Sequence, residues 1–102
     1  MGIDCYYDRE GTAISFDDWS RLMSNFDYRK IMRTTLPCGK VVSTVWLGID
    51  YSFGGGNKVV FETMVFEGDE EFSDVDCERS TTLDEAKCCH EEMCVKWCND
   101  DR

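Results

Sequence analysis

Val41-Val-Ser-Thr-Val-Trp-Leu-Gly-Ile49, then Asp50-Tyr-Ser-Phe-Gly-Gly-Gly-Asn57, then Lys58-Val-Val-Phe-Glu-Thr-Met-Val-Phe66 read as a strand, a glycine-rich loop and a returning strand. The two flanking runs are dense in β-branched and aromatic residues, which sit well on a pleated, half-buried surface. Alternation is weak. In the second run Val59, Phe61, Thr63 and Val65 share one face, and Val60, Glu62, Met64 and Phe66 share the other. Both faces are therefore expected to be partly covered, by a helix on one side and by loops or a partner on the other. Glu62 is a carboxylate within an apolar run. It is either a strand residue that faces solvent or a buried acid paired with a cation, a histidine or a metal.

Working outward, Ile3 to Tyr7 reads as a short first strand ended by the turn Asp8-Arg-Glu-Gly11. Ser15 is an N-cap for a helix with acidic residues in its first turn. Phe16, Trp19, Leu22, Met23 and Phe26 recur there at helical spacing and should pack on the sheet. Tyr28 to Leu36 reads as another strand, reversed by Pro37-Cys-Gly-Lys40 into the central hairpin. Asp76-Cys-Glu-Arg-Ser80 returns as an edge strand, and Thr82-Leu-Asp-Glu85 is a capping box opening a last helix that runs to Trp97 or Cys98. The order β-α-β-β-β-β-α, with turns too short for parallel crossovers, implies an α+β fold. It comprises a small antiparallel sheet of four to five strands and two helices.

With 102 residues the chain makes one domain, residues 1–102, with a single modest core. There is no apolar run long enough to span a membrane and no secretory signal, so a cytoplasmic protein is expected. The 21 acidic residues outnumber the 11 basic ones, for a net charge of −10. That argues against direct binding to nucleic acid, whose affinity comes largely from neutralising phosphates, and suits a basic protein partner. Seven of the twelve residues from Glu67 to Glu78 are acidic. Glu67, Asp69, Glu70, Glu71, Asp74 and Asp76 are the candidate partner-binding residues within it.

Seven cysteines and one histidine raise the question of a metal. His90, Cys94 and Cys98 are spaced four apart and form one stripe on the last helix, and an i, i+4 pair supplies two ligands to a tetrahedral zinc. With Cys77 from the preceding segment they make a candidate structural zinc set of Cys77, His90, Cys94 and Cys98. Cys88 or Cys89 could replace one member, and Cys5 is the next choice from elsewhere. The alternative is that Leu83, Ala86, Met93 and Trp97 set the buried face, with Cys89 and Cys94 as small apolar neighbours and His90 hydrogen-bonded at its border. Gly54-Gly-Gly56 has neither a following helix nor a P-loop ending, so it reads as a hairpin tip.

Tyr7-Asp-Arg-Glu-Gly11, Ile14-Ser-Phe-Asp-Asp-Trp19, Val42-Ser-Thr-Val-Trp-Leu-Gly-Ile-Asp50, Phe53-Gly-Gly-Gly56, Phe61-Glu-Thr-Met-Val-Phe66 and Glu78-Arg-Ser-Thr-Thr82, with Glu85, Ala86 and His90, resemble a family of short proteins encoded by phages and prophages. The resemblance spans nearly the whole chain. It departs at Tyr51, where the pattern has His, and at the cysteines of the last helix, so a metal site would be particular to this chain. Small acidic phage proteins of this sort are similar in kind to anti-CRISPR inhibitors, which often act by plugging a basic channel of an RNA-guided nuclease, built to hold nucleic-acid backbone. That likeness implies a non-catalytic inhibitor of a host defence protein such as a type II CRISPR nuclease, and the zinc that would steady it is expected from the cysteine and histidine spacing of this chain alone. The alternatives are a small metal-dependent enzyme centred on Asp50, Glu62 and His90, and a phage accessory protein with no defence role.

Overall fold

The hairpin expected from Val41 to Phe66 is the centre of the sheet. A computed structural model describes residues 6–49, 59–68 and 74–98. Its elements are α1 (Phe16–Met23), α2 (Phe26–Arg29), β1 (Lys30–Thr35), β2 (Val41–Trp46), β3 (Phe61–Phe66), β4 (Asp74–Ser80) and α3 (Leu83–Cys98). The four strands pair in chain order, each antiparallel to the next, so the fold is a small α+β meander with β1 and β4 at its edges. The glycine-rich loop, the segment Ile3 to Cys5 and the acidic residues Asp69, Glu70 and Glu71 lie outside the described residues. Of the expected first strand, Tyr6 and Tyr7 make single bridges to Ile49 and Ala13.

Register assigns the faces. Val42, Thr44 and Trp46 of β2 stand opposite Val65, Thr63 and Phe61 of β3, and all six are buried. Val42 and Val65 pack with Met93 of α3, while Trp46 and Phe61 pack with Ala86 of α3 and with Trp19, Leu22 and Met23 of α1. This is the helix-covered face. Period-two alternation sends Ser43, Val45, Glu62 and Met64 to the other face, where all four are half-buried.

Local chemistry explains the boundaries. The Ser15 hydroxyl accepts from the Asp18 amide at 3.1 Å and starts α1. A difference follows at once: Tyr28 and Arg29 belong to a one-turn helix and not to the next strand. The Asn25 side chain accepts from the Tyr28 amide at 3.2 Å and caps that turn, and the chain becomes extended only at Lys30. Phe26 consequently leaves the apolar face expected for it and is 77% exposed. The Pro37–Lys40 reversal is as expected, with Leu36 and Lys40 joined at 2.7 Å and Gly39 in the left-handed region at φ +97°. No described helix is long and apolar enough to cross a membrane.

Candidate functional site

α3 is capped by Thr82, whose hydroxyl accepts from the Glu85 amide at 3.1 Å, while the Glu85 carboxylate accepts from the Thr81 amide at 3.2 Å. This reciprocal cap sets where the helix enters and lays it along the sheet beside β4. Between the edge strand and the helix runs a groove of about 370 Å³ whose lining includes Glu78, Asp84, Glu85 and Glu92, with Ser80 and Cys89 beneath them. The four carboxylates are exposed. Among the described residues of this lining Arg79 is the one basic side chain, and it reaches Glu62 at 3.2 Å.

Beneath α3 lies a second polar cluster. His90 is 1% exposed. Its Nε2 stands 2.9 Å from the Thr34 hydroxyl and its Nδ1 2.8 Å from that of Thr44, which in turn lies 2.7 Å from the Thr63 hydroxyl. A neutral imidazole has one donor and one acceptor nitrogen, so a single direction of hydroxyl rotation satisfies the whole row. Burial pulls the imidazole below its ordinary value, with Glu91 acting in the opposite direction. The row ties α3 to three strands at once. A ring shut away from solvent with both nitrogens held suits that task and not proton exchange with an outside molecule.

The expected zinc set is not assembled. On β4, Asp76 and Glu78 stand opposite Val65 and Thr63 and so face α3, whereas Cys77 stands opposite Met64 and faces away. The Cys77 thiol donates to the Glu62 carboxylate at 3.3 Å. Burial first, and then Glu62, push that thiol up to about 11. Cys77 and His90 are thus on opposite faces of the sheet, and both His90 nitrogens are engaged. Cys94 and Cys98 pack beside Met93 and Leu36 as small apolar neighbours. Among the described residues no group of three His, Cys, Asp or Glu side chains could hold one metal ion. The same parity separates Glu62 from His90, so these two do not form one site; Asp50 is outside the described residues.

Of the acidic residues expected to meet a partner, Glu67 and Asp74 are exposed. Asp76 is turned inward. Its carboxylate accepts from Lys96 at 2.8 Å and from the Trp97 indole at 2.9 Å. Those two bonds, Lys96 first, hold it below the ordinary carboxylate value. The groove acids Asp84, Glu85 and Glu92 gain their importance from α3 lying beside β4, which spacing alone does not reveal. Thr34, Thr44 and Thr63 could have been found: a threonine between two apolar residues of the covered face is a hydroxyl that must be satisfied.

Against models of protein families, characterised proteins and solved structures, the chain finds no match.

Proposed function

We propose that this chain is a non-catalytic binding protein whose acidic groove between β4 and α3 receives a basic surface of a partner protein. In the fuller form of this reading it serves a phage or prophage in the host cytoplasm as an anti-CRISPR type inhibitor. It docks on a type II RNA-guided nuclease and keeps that nuclease from engaging target DNA. The observation that carries the reading is the convergence of Glu78, Asp84, Glu85 and Glu92 on one groove beside an edge strand. A net charge of −10 adds long-range attraction to any channel built for nucleic-acid backbone. The reading needs no bound metal.

The test is a DNA-binding assay of a guide-loaded type II nuclease with and without the protein, run beside the variant Glu78→Gln/Asp84→Asn/Glu92→Gln. Glu85 is left intact because it caps α3. The wild-type protein should block DNA binding and the variant should lose most of that effect. Inhibition by neither protein, or by both equally, counts against the reading.

A further inference from the structure

The opposite edge of the sheet has the opposite charge. Phe26, Arg29, Lys30, Arg33, Ser43 and Val45 line a groove of about 340 Å³ over α2, β1 and β2, with no acidic side chain in its lining among the described residues. In a chain with nearly twice as many acids as bases, three basic residues in five positions of one wall are a local reversal of sign.

Basic side chains on an edge strand have a protective use, since they discourage edge-to-edge pairing, and so does the bulge between Lys30 and Met32. Protection does not account for two further facts. Phe26 presents its ring to solvent at 77% exposure, an apolar surface in the same groove as the three cations. Arg29 lays its guanidinium over that ring at 5.6 Å, and its Nε is buried with no hydrogen-bond partner among the described residues. The rest of the guanidinium borders the groove, where an incoming carboxylate can pair with it.

We propose that this groove is a second docking surface, which takes an extended acidic segment of a partner protein. Its carboxylates lie on Arg29, Lys30 and Arg33, and one apolar side chain lies on Phe26 and Val45. Among the described strands β1 pairs only with β2, so its outer edge offers main-chain hydrogen bonds to a strand laid along it. A peptide is favoured over single-stranded nucleic acid because three cations on a chain of net charge −10 are too few to hold a polyphosphate. It is favoured over a second copy because the copies repel. The inference stands independently of the β4–α3 groove.

The experiment is fluorescence anisotropy with the full chain and three labelled probes of equal length. These are a peptide alternating Glu with Val and carrying one central Phe, the same peptide with Lys for Glu, and an oligothymidylate. The acidic peptide should bind and the other two should not. Arg33→Glu and Phe26→Ser, both at exposed positions and checked for folding by circular dichroism, should each weaken it by about tenfold or more. Preferential binding of the oligothymidylate overturns the proposal, as does acidic-peptide binding that neither substitution changes. Concentration-dependent dimerisation abolished by Arg33→Glu would assign the surface to a second copy and overturn it likewise.

Discussion

His90 of α3 and Thr44 of β2 meet at 2.8 Å, and through Thr44 the imidazole is joined to Thr63 on the next strand. One helix is thereby keyed to the middle of the sheet by polar bonds inside an otherwise apolar contact. Thr44→Val keeps the shape and removes the hydroxyl, leaving His90 Nδ1 and Thr63 without that partner. It should destabilise the fold by roughly 1–3 kcal/mol in urea titration. Unchanged stability would mean the row contributes nothing.

The same row gives a pH dependence of definite sign. Burial holds the folded imidazole below its ordinary 6.5, so on acidification the unfolded chain takes up a proton first. Stability contributed by the neutral ring is complete above about 6.5, declines as pH falls below it, and levels off beneath the folded value. His90→Gln should flatten this slope in thermal melts. A separate loss comes at more acid pH, where Asp76, held down by Lys96 and Trp97, becomes protonated. Its stabilisation is present above the ordinary 3.8 and disappears as pH falls through the folded value. Asp76→Asn should remove that step alone.

Gly48 sits at φ +76° against Trp46 and Trp19. A methyl group there would overlap Trp46 and lie 2.7 Å from Cδ1 of Trp19, whose indole donates to the Leu47 carbonyl. Gly48→Ala should therefore cost about 3 kcal/mol, combining left-handed backbone strain with overpacking, as read from denaturant midpoints. Gly39→Ala, with open space around its Cβ position, should cost less.

Cys77 should be a slow nucleophile. With its thiol pushed up to about 11 by burial and by Glu62, alkylation followed by mass spectrometry should quicken about tenfold per pH unit throughout the neutral range. Glu62→Gln should bring the titration down. Rapid labelling of Cys77 at neutral pH would contradict the Glu62 contact.

Much of this architecture is written in local chemistry. The β-branched runs of β2 and β3, the Leu36–Lys40 reversal, the Ser15 cap and the Thr82–Glu85 box all act within a few residues, and each is found where spacing puts it. What depends on register is different. Cys77 and Asp76 exchange the roles expected of them because a strand's parity is decided by its neighbour, and the pairing sets Cys77 opposite Met64 and Asp76 opposite Val65. His90 is satisfied by hydroxyls 46 and 56 residues away, beyond the reach of any helix-face argument. α2 was hidden because Asn25 caps a single turn within a run of aromatic and basic residues that also suits a strand.

The measurement that bears most directly on the acidic groove is the affinity of this protein for a guide-loaded type II nuclease at low and at high salt. Wild type and Glu78→Gln/Asp84→Asn/Glu92→Gln should be compared. The account predicts binding that weakens steeply as salt rises and drops by about tenfold or more in the variant. No binding, or an affinity indifferent both to salt and to the three substitutions, would contradict it.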